Sequence, residues 1–547
     1  MEKRVILAVV LSILIIITFQ HITAKNYHSQ SPAEQTGLVS QQIEPGAELS
    51  SLEPSAQKPM PSGAKDVVVE TGLFKLVFTT SGARIKSFQL KKYDGVELVS
   101  LISRENQDYP LTVVFPGRKD LSGINLAIYK PDKKLLLLND SNKSGSIKFV
   151  YLNNKGFKIT KRYTFSYDSY VFDLGLTIDR EHGQTLKDKV FLIKYGPGIT
   201  QPDTKEVRRV YKGPVVRIQQ DPGVPPIIKR EKYGRDERSQ FVTRRYKGDI
   251  SWISLQDKYF IAALIPFEAT GAAIIEKDEQ GQCSIALEGV SKPEQTYNVG
   301  FYLGPKHEKK LKALNIGLEE IIDYGFFGPI ARLLAVVLNI FYQWTHNYGY
   351  AIILLAFATK IIFYPLTHRS FEAMRKMQED MKVVQPELDA LKGKYKDNPQ
   401  KLNKETMELY RKTGVNPLAG CRGGCLPLLL QMPVFIALYV VLYNAITLRG
   451  APFVWWITDL SVKDPYYVLP ILMGVSTLVQ QKVTGLGKTG ADTQQAKMMM
   501  WMMPLFLIWI FAKFPSGVVL YWFAFNVFTS IQQLLITKVK PPKQVLK

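Results

Sequence analysis

The chain has 547 residues, 70 Lys+Arg against 48 Asp+Glu, and three cysteines. That length allows three or four domains. The composition excludes collagen-like, disordered and disulfide-scaffold classes, and three cysteines allow at most one disulfide. The net charge of +22 is unevenly spread: residues 20–346 hold 45 basic and 36 acidic residues, and the remainder 25 and 12 in a mostly apolar context. Basic residues beside apolar spans report membrane orientation. There is no zinc-finger spacing or RNA-binding strand motif, so no specific nucleic acid sequence is expected as a partner.

Residues 1–23 open with Lys3 and Arg4, then run apolar from Val5 to Phe19. As a helix, Val5–Ile22 spans about 27 Å, close to a hydrocarbon core of about 30 Å. An uncleaved transmembrane anchor is the favoured reading, with a cleaved signal peptide as the alternative. Residues 24–65 are rich in Ser, Pro, Gln and Glu, and read as a flexible linker. From 66 to 304 the pattern changes to period two. Ile147, Phe149 and Tyr151 share one parity, as do Phe157, Ile159, Tyr163 and Phe165, then Phe172, Leu174, Leu176 and Ile178. Such runs between turn residues predict antiparallel strands with one buried face, and so a large all-β sandwich.

The stretch 305–346 ends in an apolar run whose polar members, Arg332, Asn339, Gln343 and His346, fall on one stripe of a helix. That stripe predicts an amphipathic interfacial helix. Five spans are expected after it, at about 347–367, 426–448, 466–483, 498–514 and 517–537, making six with the anchor. Within the core at 347–540, residues 369–413 read as a helical hairpin, with Phe371, Met374, Met377, Met381, Val384, Leu388 and Leu391 at helical spacing and a turn at Asp397-Asn398-Pro399. Residues 369–412 carry eleven Lys+Arg, and the tail from Lys538, including the basic end at 541–547, carries four with no acid. The positive-inside rule then puts both termini and the hairpin in the cytoplasm and the sandwich outside. The fold class is a multi-pass α-helical membrane protein with six transmembrane helices and a large periplasmic all-β sandwich.

Lys360 is the sharpest feature. It sits inside the span after Ala351–Thr359, where a cation costs about 3 kcal/mol on insertion scales. Such a residue faces a partner or a wet cavity, unless its stem snorkels the roughly 10 Å to the inner end. Polar walls for a cavity are offered by Asn526, Thr529, Ser530 and Gln533, with Trp522 one turn earlier, by Ser476, Thr477, Gln480 and Gln481, and by Gln431. Interhelical bonding is the alternative role for each of these. Met498–Met503, interrupted only by Trp501, suits adaptable apolar contact or plain core filling. Gly485–Thr489 lacks the first glycine and the preceding strand of a phosphate loop. Cys421 and Cys425 lack a nearby His pair for a metal. No hydrolytic motif occurs, and neither a cofactor nor a catalytic group is expected.

Several ordered segments resemble the YidC membrane protein insertase family, in its Gram-negative form with a large periplasmic domain. They are Phe363-Tyr364-Pro365-Leu366-Thr367, Gln385-Pro386-Glu387-Leu388, Val415-Asn416-Pro417-Leu418, Leu426 to Phe435, Asp464 to Leu472, and Phe514 to Trp522. The resemblance implies a non-enzymatic insertase in the bacterial inner membrane, working alone or with the Sec translocon through a groove open to cytosol and lipid. Its implied partners are nascent inner-membrane proteins, the Sec translocon, the ribosome at the hairpin and tail, and the lipid bilayer. The expected groove is lined by Thr359, Lys360, Gln431, Tyr521, Trp522 and Asn526. Lys360 stands where many members carry Arg, which keeps the charge and loses the bidentate fork. The segment Ala419–Cys425 is longer than the usual Gly-Gly-Cys. A secondary transporter with Lys360 as its ion or substrate site is the competing reading. It predicts inverted repeats, and none is visible.

Overall fold

The computed structural model describes residues 61–539 apart from 94, 100–107, 119–120, 122, 154–155, 181–188, 200–211, 233–239, 269, 292–294, 397, 415–416 and 485–493, with backbone alone described for 180, 189, 291, 417–430, 484, 494–500 and 537–539. The expected anchor, most of the linker, the basic end at 541–547 and the Gly485–Thr489 connector therefore lie outside the described residues, as do the side chains of Cys421 and Cys425.

Among the described residues, eighteen strands run between Asp66 and Pro305 in three sheets of four, five and nine strands. The largest is ordered, edge to edge, as Ile227–Arg230, Gly213–Gln219, Asp249–Gln256, Phe260–Pro266, Tyr297–Pro305, Val171–Arg180, Phe157–Ser166, Ser144–Leu152 and Lys130–Pro131. Its register explains the period-two signal. Ile159 pairs with Ile178, Tyr163 with Leu174, and Phe165 with Phe172. All six are buried, so each cross-strand pair turns two apolar side chains to the same face. The five-stranded sheet covers part of that face, where the Phe191 ring meets Tyr297 edge-on at 5.1 Å. The four-stranded sheet covers another part, with Phe78 packed on Phe149 and Tyr163.

One inward position breaks the apolar rule. Lys161 shares the parity of Ile159 and Tyr163 and is 0% exposed. Its ammonium donates to the carbonyls of Gly82 at 2.7 Å and Leu111 at 3.2 Å. The Tyr163 hydroxyl donates to Ala83 O at 2.8 Å. Both side chains thus tie the large sheet to a turn in which Gly82 and Ala83 have φ of 70° and 48°. Among the described residues no carboxylate pairs with Lys161, and burial, reinforced by Arg84, pushes its pKa down to about 7.

The helical part follows: α1 Glu308–Lys312, a 3-10 turn at Leu318–Ile321, α2 Gly328–Thr345, α3 Tyr348–Lys394, α4 Pro399–Thr413, α5 Pro417–Asn444, α6 Val468–Thr484, α7 Gln494–Phe511 and α8 Ser516–Val539. Helix α2 has three faces. Ala331, Leu334 and Leu338 are buried, Arg332, Gln343 and His346 are exposed, and Leu333, Val336, Ile340 and Trp344 form an exposed apolar strip. A helix carrying both a polar stripe and an exposed apolar strip suits a membrane surface.

The backbone is continuous past residue 367. The span and the first hairpin helix are one 47-residue helix, α3. Pro365 and Pro386 lie inside it. Each lacks one backbone donor without ending the helix, and no left-handed glycine or capping side chain stands between them to stop it. Asn347 caps the start, its side chain accepting from Gly349 N at 2.8 Å. Asn398 caps α4 through Lys401 N, and Gly414 ends it at φ 69°. Val384, Leu388 and Leu409 make its small core. Two described helices, α3 and α8, are long and apolar enough to cross a membrane, and the apolar described stretches of α5, α6 and α7 are shorter.

Candidate functional site

Helices α3 and α8 pack in parallel with a constant offset in sequence number. A Cβ added at Gly517 would lie 3.3 Å from Ile352. Lys360 meets Phe525, the Gln532 side chain donates to the Thr367 hydroxyl at 3.0 Å, and Ile536 packs with Phe371 and Met374. The pairs 352/517, 360/525 and 367/532 all differ by 165. The seam is apolar at the start of α3, polar through its middle, and apolar again where α3 continues into the hairpin. Lys360 lies 12 residues beyond Tyr348, so about 18 Å along α3.

Four of the expected groove residues converge here. The Gln431 amide of α5 donates to the Tyr521 hydroxyl at 3.3 Å. Tyr521 and Thr359 hydroxyls lie 3.2 Å apart, and Thr359 donates its proton to Ala356 O at 2.8 Å. Since Thr359 spends its proton on that carbonyl, Tyr521 is the donor between them. The result is a one-way chain, Gln431 to Tyr521 to Thr359 to Ala356, whose members polarise one another. Lys360 stands beside this chain at 8% exposure. Its ammonium sits 3.7 Å from the centroid of the Phe525 ring. Among the described residues no ion pair or hydrogen bond holds it. Next to Lys360 along α3, Ile361, Ile362 and Tyr364 are exposed, as lipid-facing residues would be.

The other two expected residues point elsewhere. Asn526 turns to α6, donating to Ser476 Oγ at 3.2 Å and Thr477 Oγ1 at 2.9 Å. Ser530 bonds back to Asn526 O. This polar row therefore joins α8 to α6, the bonding role that polar residues between membrane helices commonly take. Trp522 packs edge-on against Phe435 at 4.6 Å and beside Phe511 at 5.4 Å, against the apolar cluster of the helical part. Phe525, Thr367 and Gln532 were not among the expected residues. Their signal was the spacing from Lys360 and Tyr521 along one face. Among the described residues no group of His, Cys, Asp and Glu could hold a metal ion.

Two family models match the chain: one described as 60Kd inner membrane protein over residues 340–544, and one described as YidC periplasmic domain over residues 66–337. A Membrane protein insertase YidC of Syntrophus aciditrophicus (strain SB) is 34% identical over 570 residues, covering 98% of this chain and all of that one. The protein of the same name from Geotalea daltonii is 36% identical over 560 residues, covering 99% of this chain and all of the relative. A solved structure titled as an active YidC insertase with the first transmembrane domain resolved aligns with 87% of this chain and 94% of its own, at 17% identity and a TM-score of 0.37.

Proposed function

The chain belongs to the YidC family of membrane protein insertases, and from that premise we propose that it inserts clients through the polar seam around Lys360. It is an insertase of the inner membrane with a large periplasmic β-sandwich, in a family that performs no covalent catalysis. The proposed architecture has six transmembrane helices: the anchor, the first part of α3, and α5 to α8. The hairpin of α3 and α4, both termini and the basic tail lie in the cytoplasm. The excess of Lys and Arg in the hairpin and tail supports that orientation.

The work is a transfer of environment. A client's polar end must pass the hydrocarbon, where a single Asp at a helix centre costs about 3 kcal/mol. A cavity carrying one cation lowers that cost. Attraction between unit charges at 4 Å is about 1 kcal/mol in water and about 4 kcal/mol at an effective dielectric of 20. The Gln431–Tyr521–Thr359 chain offers polar contacts next to it. The client's apolar segment then leaves sideways past the exposed apolar side chains of α3 into lipid, driven by about 25 cal/mol per Å² of buried apolar surface. The hairpin receives the nascent chain from the ribosome, and larger clients are handed on from the Sec translocon.

The observation that carries this reading is a nearly buried membrane cation with no described carboxylate partner. A cation serving only structure would be held by an ion pair or by hydrogen bonds, as Lys161 is by two carbonyls, and among the described residues Lys360 has neither. A photocrosslinker placed at Gln431 should capture a nascent inner-membrane protein during insertion, while one at Trp509, on the far side of α7, should not. Equal capture at both positions, or none at Gln431, contradicts the reading.

A further inference from the structure

Lys360 rests on an aromatic face, which raises the question of what keeps a membrane cation in place between clients. Its Nζ is 3.7 Å from the Phe525 centroid. Phe525 is itself stacked on Tyr521, with ring centroids 6.1 Å apart and planes at 24°. Tyr521 is fixed by its two polar neighbours on α3 and α5. The ring under the ammonium is therefore held from three helices. The constant offset of the α3–α8 seam places Phe525 opposite Lys360, one heptad from the Thr367–Gln532 bond.

We propose that Phe525 is a positioning residue that holds the Lys360 ammonium inside the groove between clients and releases it to a client carboxylate. The proposal rests on the insertase reading above. The physical reason lies in the difference between a ring and an acid. A resident carboxylate would neutralise the cation, and a client would have to break that pair. The negative face of a ring attracts the ammonium and compensates part of its lost hydration, but it leaves the net charge in place. The ammonium has a flexible four-carbon stem and would otherwise snorkel toward cytosolic water. Phe525 thus selects for clients whose translocated segment carries Asp or Glu, because only they profit from a charge kept at depth.

The test uses the full chain in proteoliposomes and two single-span clients that differ only by Asp and Glu against Asn and Gln in the translocated segment. Phe525 is replaced by mono-, di- and trifluorophenylalanine, which keep the ring's shape while weakening its negative face. Insertion of the acidic client should fall stepwise, on the order of tenfold by the trifluoro ring, and insertion of the neutral client should stay within about twofold. Phe525→Leu should behave like the most fluorinated ring, and Phe525→Trp like the parent. A flat response to fluorine, or an equal loss for both clients, overturns the proposal and leaves Phe525 as packing. Lys360→Met separates the two levels. If it spares the acidic client, the groove reading itself fails. If it abolishes acidic insertion while the fluorine series is flat, the role of Phe525 alone falls.

Discussion

Lys161→Met in the sandwich should change the protein's stability by an amount that reverses sign with pH. The folded lysine is held near 7 against an ordinary value of 10.5. Between those values the unfolded chain binds a proton that the folded chain does not, so the parent's stability rises with pH across that window. A shift of 3.5 units corresponds to about 5 kcal/mol of penalty at neutral pH. Methionine removes the penalty and fills much of the same space. It also strips the carbonyls of Gly82 and Leu111 of their donor, at roughly 1 kcal/mol each. The variant should therefore be about 3 kcal/mol more stable near pH 7. That advantage falls by about 1.4 kcal/mol per pH unit and vanishes near pH 9. Lys306 is also held down near 7, chiefly by burial. Its contribution is common to both proteins and cancels in the difference. Pulse proteolysis of the detergent-solubilised full chain in urea, at about pH 7, 8 and 9, reads the difference directly. A difference that does not change with pH, or a variant less stable at pH 7, refutes the reasoning.

The remaining predictions concern the helical part. Tyr521→Phe and Gln431→Leu should couple by about 0.6–1.7 kcal/mol in a double-mutant cycle of detergent unfolding, the range for hydrogen bonds between membrane helices; additive effects would mean that the chain through Tyr521 is not formed. Gly349→Ala drives a Cβ into the Phe453 ring. It should destabilise by about 1–3 kcal/mol and raise hydrogen exchange at residues 451–457. Gly393→Ala meets nothing within 4 Å and should stabilise the end of α3 by about 0.5–1 kcal/mol; the opposite order of these two glycine variants would contradict the packing described.

The strands were legible because burial writes itself into parity. Ile159, Tyr163, Leu174 and Phe172 were placed inward from spacing alone, and the register pairs each with another inward apolar residue. The same parity also pointed at Lys161. A charged residue on an inward position is readily discounted, because its compensation comes from backbone carbonyls at Gly82 and Leu111, distant in sequence. The division into three sheets depends on which strands pair, and period two carries no information about partners. Helix ends were legible where a side chain writes them, as at Asn398 and Gly414. The join of the span to the hairpin was not, because a change in polarity at residue 368 marks a change of solvent, and the backbone continues through it. Lys360, Thr359, Gln431 and Tyr521 were found as a group. Asn526 and Trp522 were assigned to the same wall because they lie about one turn apart on one face of the last span. Successive residues on a helix differ by 100°, however, so Phe525 meets Lys360 while Asn526 meets Ser476 and Thr477 on α6. Hydropathy cannot separate those two neighbours; the α3–α8 offset can.

The account turns on water reaching the depth of residue 360 from the cytoplasmic side. With Cys283, Cys421 and Cys425 replaced by serine, Lys360→Cys should react with a membrane-impermeant thiol reagent added from the cytoplasm and resist the same reagent added from the periplasm. Leu355→Cys, packed among the helices of the same cluster, should stay unreactive from both sides. If Lys360→Cys is as inert as Leu355→Cys, no hydrated groove exists and the charge at this position has some other purpose.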